Sequence, residues 1–333
     1  IKREGYFKDK PPRIIAPHMD IFNCRIWEDI QIASDVVYSQ KFSVKGLTTY
    51  ERMDKIIETF PDYGLFLSTD ISRMEASYNE VIFKLENYMM KKLVPQRSAL
   101  WDELYEAFTG PKKMKAKGVT AWVTNKRMSG EMTTAITHLL VNWLLIHFVA
   151  HKSGAEVIAF LGEGDDGLVL LDKPIDTSWY AKLGFRFKGE YSYNLFSTKF
   201  CHMTISPDKT GVIRHPAELL LKLWYCFSQQ MHSLTQKVAL ELLLAKALSY
   251  YNEYKNCPII VPYCEFIIHK LKGIRPKFIP DGYHHYYKTM LYKSNITTQT
   301  RLHFENTFGI PINMQIRIEQ ALIKDFYKDH MDE

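Results

Sequence analysis

The chain has 333 residues, 46% of them hydrophobic and 14% aromatic, enough to build a large folded body of two or three packed subregions. Its net charge of +6, from 43 Lys and Arg against 37 Asp and Glu, permits a polyanionic partner without requiring one. The five cysteines, Cys24, Cys201, Cys226, Cys257 and Cys264, form no CxxC pair; this excludes a zinc signature and a disulfide framework and points to reduced thiols in a reducing compartment.

The chain opens on "IKREGYFKDK", without initiator Met and without an apolar signal region, as expected of a fragment of a longer polypeptide. Lys2, Arg3, Lys8, Lys10 and Arg13 crowd a proline-stiffened segment, and "KDKPPRIIAP" reads as extended. Such charge is ordinarily a solvated face. Its functional reading is a positive wall over a triphosphate, where Arg gives planar bidentate contacts. "YGLFLSTD", 63–70, reads as a strand that ends on a carboxylate. There Asp70 either caps the next helix or stands at the strand's mouth for a ligand. "RMEASYNEVIFKLENYMMKK" follows as a helix with Met74, Tyr78, Val81, Ile82, Leu85 and Met89 on one stripe.

"SGEMTTAITHLLVNWLLIHFVAHKSG" reads as the next helix, ending at Gly154. Its apolar run, 135–150, is too short to span a membrane comfortably and is interrupted by His138, Asn142 and His147, so a buried helix is expected. Ser129-Gly130 ahead of it either caps the helix or presents amides and hydroxyls to a phosphate or sugar. Thr134 and His138 lie one turn apart on one face. "EVIAFLGEGDDGLVLLD", 156–172, places two apolar runs around an acidic turn and reads as a β-hairpin, with Asp166-Gly167 as a favourable turn dipeptide. The adjacent carboxylates of Asp165 and Asp166 repel unless a cation or solvent screens them, and Mg2+ takes such oxygens. On this window alone a structural hairpin and a metal-holding one both stand. Beyond about residue 206, "PAELLLKLWYCFSQQMHSLTQKVALELLLAKALSYYNEY" is nearly continuous helix material. No internal repeat or low-complexity linker interrupts the chain.

Each feature is modest alone, and their order carries the weight. A basic "KPPR" segment, then strand–Asp–helix, Ser-Gly–helix and hairpin–Asp-Asp, resembles the palm of RNA-dependent RNA polymerases of positive-strand RNA viruses, most of all the tombusvirus and nodavirus groups. "DISRME" resembles that family's first catalytic motif, "RMSGEMTT" the second and "GDDG" the third. "KREGYFKDKPPRIIAP" resembles the fingers motif that contacts the incoming triphosphate. "AKLGFRFK", 181–188, resembles the fourth palm motif, "KFCHMTIS", 199–206, the primer-grip hairpin, and "VIRHPAELLLKLW" the entry to the thumb.

The resemblance implies an α+β right-hand polymerase with an antiparallel, RRM-like palm, partial fingers and a helical thumb, in a fragment that lacks part of the amino-terminal fingers. The implied boundaries are 1–60 for a fingers part, 61–95 for palm, 96–126 for a fingers insertion, 127–205 for palm and 206–333 for thumb. It implies template-directed nucleotidyl transfer that replicates a viral RNA genome, with Mg2+ as cofactor and Mn2+ as a substitute, held by Asp70, Asp165 and Asp166. Lys2 and Arg13 would meet the triphosphate, Ser129, Gly130 and Thr134 would seat the sugar and template, and Lys188 would act as general acid for pyrophosphate. The implied partners are RNA template and nascent RNA, nucleoside triphosphates and other viral replication proteins, in membrane-associated replication complexes of the host cytoplasm; membrane attachment is not visible in this stretch.

Two positions depart from the pattern. Glu75 stands where the first motif has a second Asp, and His138 where the second motif has an Asn. In the family those two positions sense the sugar 2′-hydroxyl. The expectation is that they compensate, since Glu reaches one methylene further and His can still donate or accept. Three rivals follow from the same residues. One is a catalytically impaired polymerase fold that serves as an RNA-binding scaffold. Another is a reverse transcriptase, which more often has an aromatic residue two before the paired Asp, where this chain has Glu163 and Gly164. The third is a helical protein with a decorative hairpin, which predicts no convergence of Asp70 with Asp165.

Overall fold

The computed structural model describes residues 15–116, 118–224, 235–277 and 287–331. In chain order the elements are α1 (Asp20–Tyr38), α2 (Thr49–Thr59), β1 (Tyr63–Ile71), α3 (Met74–Ser77), α4 (Glu80–Leu93), α5 (Ser98–Thr109), β2 (Lys112–Ala116), β3 (Val119–Val123), α6 (Thr134–Lys152), β4 (Val157–Glu163), β5 (Asp166–Leu171), α7 (Ser178–Lys182), β6 (Phe187–Asn194), β7 (Thr204–Ile205), β8 (Val212–Ile213), α8 (Pro216–Trp224), α9 (Gln236–Glu253), α10 (Ile260–Lys270), α11 (Thr298–Phe308) and α12 (Ile312–Met331). They form two compact units, one of residues 15–47 and 58–201, the other of 48–57 and 202–331. Helices and antiparallel sheets are mixed, as the sequence led us to expect.

In the first unit a four-stranded antiparallel sheet runs β4-β5-β1-β6, reached by a β1–helices–β4–β5–α7–β6 path. Strand alternation divides its residues between two faces. Leu67 and Ile71 of β1 join Val169 and Leu171 of β5 on the face that packs against helices. There they meet Ile26, Ile30 and Val37 of α1, Phe83 and Met90 of α4, Trp101 and Leu104 of α5, and Leu139, Ile146 and Val149 of α6. Each such side chain, fully buried, contributes about 1.5–3 kcal/mol of transfer free energy. By length and composition α6 could cross a membrane, but its apolar residues are spent on this core, as a buried helix requires. The outer edge of β4 is covered by the segment before α2. Gly162 N–H donates to the Phe42 carbonyl at 2.8 Å and Val44 N–H to the Gly162 carbonyl at 3.1 Å.

Three local expectations are corrected. The helix expected over 73–92 is two helices, because Asn79 caps a new one, its side chain accepting from Ile82 N–H at 3.1 Å. That restart shifts the phase: α4 buries Ile82, Phe83, Glu86 and Met90, while Val81 and Leu85 of the expected stripe are exposed. Secondly, α6 begins at Thr134, so Ser129 is not its N-cap. Thirdly, the acidic turn centres on Gly164-Asp165, and Asp166 and Gly167 already belong to β5. Gly164, at φ 62, supplies the left-handed first position that a two-residue hairpin turn favours. The basic segment of residues 1–14 lies outside the described residues.

The second unit has the small β7–β8 ribbon and a helical core of Leu243, Leu244, Ala247, Leu248 and Tyr251 from α9, Ile260, Val261, Tyr263, Cys264 and Ile267 from α10, Phe304 and Phe326. In the β7–β8 turn, Asp208 accepts from Ser206 Oγ at 2.6 Å, Thr210 N–H at 3.2 Å, Thr300 Oγ1 at 3.1 Å, and also from Thr297 Oγ1. Partial burial pushes this carboxyl up, but the hydrogen bonds from Ser206, Thr297 and Thr210 outweigh it and hold it at about 2. A depressed carboxyl contributes stability that is complete above its ordinary value and is lost as pH falls towards about 2. Asp208→Asn should therefore lower the denaturant midpoint at pH 7 and leave a smaller difference from the parent near pH 2, as urea titrations at the two pH values would read.

Candidate active site

The register of the sheet brings together residues far apart in sequence. Thr69 of β1 faces Gly167 of β5, so one further step on the same ladder sets Asp70 opposite Asp166. Residues so opposed have Cα atoms about 4.5–5.5 Å apart and side chains on one face. On the other side Asp70 faces Lys188 of β6, and beyond the hairpin Asp166 faces Glu163 of β4. A transverse row Glu163–Asp166–Asp70–Lys188 therefore crosses all four strands at the hairpin end of the face opposite α6; further along that face Phe66, Leu161 and Leu168 are buried. Asp165 stands exposed at the turn beside it, and Asp70 and Lys188 are exposed too.

This row needs a close backbone at Gly167. A Cβ there would lie 2.5 Å from Thr69 Oγ1, whose hydroxyl donates to the Gly167 carbonyl at 3.3 Å. The last residue of "GDDG" is thus glycine because β1 and β5 pack without room for a methyl group. Lys45 Nζ pairs with Glu163 at 2.8 Å, and Cys201 Sγ lies 3.6 Å from its other oxygen.

Behind the row, α6 holds the hairpin tip. Asn142 Nδ2 donates to the Asp165 carbonyl at 3.0 Å and to the Gly164 carbonyl at 3.4 Å. Asn142 is fully buried, so its loss leaves backbone acceptors without their donor. Asn142→Ala should cost about 1–3 kcal/mol in urea denaturation and lower catalysis at temperatures where the variant is folded. Unchanged turnover would show that the tip keeps its place without Asn142.

The loop ahead of α6 is anchored by charges sealed in the core. Arg127 Nη2 reaches both oxygens of Glu86 at 2.5 and 2.6 Å, while Nη1 reaches Thr133 Oγ1 at 2.5 Å and Glu131 at 3.2 Å. Lys112 Nζ donates to Glu131 at 2.7 Å and to the Lys126 carbonyl at 2.9 Å, and His18 Nε2 lies 3.4 Å from Glu131. The Arg127 guanidinium also sits 4.8 Å from the Tyr78 ring centre and 5.1 Å from those of Phe83 and Phe108. Burial works against the Arg127 charge, yet Glu86 and Glu131 overcome it and hold the guanidinium protonated; burial likewise pushes Glu131 up, but His18, Arg127 and Lys112 bring it below the usual carboxylate range. Burial pushes Glu86 up against the pull of Arg127 and pushes Lys112 down against that of Glu131, so two basic side chains are paired with two acidic ones in a shared, desolvated cluster. Between the anchors, Ser129 and the exposed Gly130 (φ 99) form a raised loop, with Ala16 N–H donating to the Ser129 carbonyl at 2.8 Å.

The expected site residues fall into three groups. Asp70, Asp165, Asp166 and Lys188 lie at the hairpin end of the sheet face opposite α6. Ser129, Gly130 and Thr134 lie on the anchored loop and the first turn of α6. Glu75 is half-buried on α3. His138 is 4% exposed against the Tyr78 ring, where burial and then the Arg127 charge push its pKa down to about 3, so it is neutral. Its Nε2 has no hydrogen-bond partner among the described residues. Lys2 and Arg13 lie outside the described residues. Sequence reasoning missed Glu163, Asn142, Arg127, Glu86, Glu131 and Lys112. Arg127 and Glu86 are 41 residues apart, and no periodicity links them.

Among the described residues no group of three or more His, Cys, Asp or Glu side chains, as placed, is close enough to hold a metal ion. The fit to a hard cation is one of donor chemistry and backbone placement. Asp70 and Asp166 share one face of adjacent strands, Asp165 is next to them at the turn, and all offer oxygens, the donor type Mg2+ takes. No match is found among curated proteins. A family profile described as viral RNA dependent RNA polymerase matches residues 24–324, nearly the whole chain and every described element from the middle of α1 into α12. The chain therefore belongs to the viral RNA-dependent RNA polymerases and is an RNA-directed RNA polymerase, a nucleotidyltransferase.

Proposed function

We propose that the chain replicates a viral RNA genome by a two-Mg2+ nucleotidyl transfer centred on Asp70, Asp165 and Asp166. The observation that carries this is the placement of Asp70 and Asp166 side by side on neighbouring strands, at the exposed hairpin end of one sheet face, although 96 positions separate them in sequence. The four-stranded sheet and its helices, 61–95 and 127–205, are the palm. Residues 1–60 and 96–126 belong to the fingers, and 206–333 are the thumb. The β1–helix–β4–β5–α7–β6 order with strands arranged β4-β5-β1-β6 supports an RRM-like palm.

The primer 3′-oxygen bonds to the α-phosphorus of a nucleoside triphosphate, the bond from that phosphorus to the bridging oxygen breaks, and pyrophosphate leaves. Asp70, Asp165 and Asp166 would hold two divalent ions, Mg2+ or Mn2+, which when bound stabilise the charge on the attacking and leaving oxygens. Lys188, which faces Asp70 across the ladder, would give its Nζ proton to the departing pyrophosphate. Ser129, Gly130 and Thr134 seat the sugar and template, their loop held still by the Arg127 cluster. Lys2 and Arg13 neutralise the β and γ phosphates, and the described continuation of their segment runs beside Ser129. Other viral replication proteins and a membrane-associated complex in the host cytoplasm complete the setting.

Primer extension by the purified protein tests the proposal: incorporation should require Mg2+ or Mn2+ and stop with chelator. Metal-independent synthesis would overturn it, and the absence of any incorporation would favour the RNA-binding scaffold. Within the same reading Glu75 and His138 set the preference for ribose. Glu75→Ala should narrow the ratio of ribonucleotide to deoxynucleotide incorporation, and an unchanged ratio would remove Glu75 from that role.

A further inference from the structure

Residues 111–126, "PKKMKAKGVTAWVTNK", carry five lysines and no acid. They build the β2–β3 ribbon, whose strands pair only with each other. Its register sets Lys113 opposite Trp122 and Lys115 opposite Thr120, so these four side chains share one face. All four are exposed, and the Trp122 indole is 65% exposed. A charge run on a ribbon is usually only solvated, but an open indole in its midst is not what solubility selects. Lys113 Nζ sits 5.3 Å from the Trp122 ring centre, so cation and π-face form one patch. The base of the opposite face is tied down, since Lys112 is drawn into the Glu131 pair and also reaches the Lys126 carbonyl, while Ala121 and Val119 of that face are exposed.

We propose that the Lys113–Lys115–Trp122 face of this ribbon binds single-stranded RNA, one base stacking on Trp122 and the flanking phosphates resting against the two lysines. An indole gives every base a stacking partner without reading its edge, and lysines follow the backbone. A duplex hides its base faces and would leave the indole idle. Lys112 links the ribbon to the cluster that anchors Ser129–Gly130, so a strand held here is held in a fixed relation to that loop. That the strand is RNA rests on the polymerase reading; the patch chemistry does not.

The test measures binding of a labelled uridine 12-mer and of a blunt RNA duplex by fluorescence anisotropy, using the whole chain. Trp122→Ala should weaken the single-strand complex about tenfold, with duplex affinity unchanged, and Trp122→Phe should recover most of the loss. Joint Lys113→Gln and Lys115→Gln replacement should flatten the slope of log affinity against log salt by about 1.4, two phosphate contacts' worth. Single-strand affinity within twofold of the parent, or equal losses for strand and duplex, would overturn the proposal. So would a Trp122→Ala loss confined to phosphatidylserine-containing vesicles, which would make the patch a membrane contact. An Asp165→Ala control separates the two readings. If it still synthesises RNA while Trp122→Ala has lost the single strand, the metal assignment falls and the ribbon assignment stands.

Discussion

Asp165→Ala is expected to lower Mg2+-dependent nucleotide incorporation by about 10^3-fold or more, since a metal clamp supplies several kcal/mol of transition-state charge stabilisation and each ~1.4 kcal/mol is tenfold. Asp165 is exposed at the hairpin turn, and the Asn142 anchor grips its backbone carbonyl. The substitution should therefore leave the melting temperature and RNA affinity close to those of the parent. Single-turnover extension of a saturating primer–template separates chemistry from binding. Parent-like extension by D165A would refute the metal role. Asp70→Asn should behave alike, because the ladder places its carboxylate beside Asp166 on the same face. A large loss at one acid with none at the other would mean that the row does not act as a unit.

The largest stability effect is expected at Arg127, whose side chain is wholly shielded from solvent. Arg127→Met should destabilise the protein by about 3–5 kcal/mol, because it leaves the Glu86 carboxylate, itself only 5% exposed, without its bidentate partner. Adding Glu86→Leu should restore part of the loss, since an apolar pair can replace a buried ion pair at little cost. Denaturant titrations of parent, single and double variants would give the coupling. Strict additivity would contradict the bidentate contact as the source of the effect. A rescued double variant that folds but extends primers slowly would show that the charge cluster also sets the Ser129–Gly130 loop.

What the sequence made legible was what repeats at short range. The stretch 63–70, read as a strand ending on Asp70, is a nine-residue strand, Tyr63–Ile71, and the runs around "GEGDDG" are a hairpin. Period and turn chemistry suffice for these. The joint order of weak motifs carried the family, and the profile match over 24–324 agrees. Three things were hidden. Asn79 ends one helical phase and starts another, which a continuous apolar stripe conceals. The turn centre moved to Gly164-Asp165 because Gly167 is claimed by its close approach to Thr69, not by the turn. The partners of Arg127, Glu131 and Asn142 are set by tertiary packing, and their spacing in the chain carries no signal. Lys188 was placed only by homology of pattern, whereas the β1–β6 register puts it beside Asp70.

The sealed charge cluster and the open lysine ribbon answer to ionic strength in opposite ways. Mobile ions do not enter the space around Arg127 and Glu131, whose side chains are both 0% exposed, so added salt leaves the loop's anchors untouched. On the proposed ribbon assignment the same salt should strip RNA from the exposed lysines by competing at the phosphates. A salt jump should thus act as a selective switch: it would release the nucleic acid while the machinery that received it keeps its shape, ready to be reloaded on dilution.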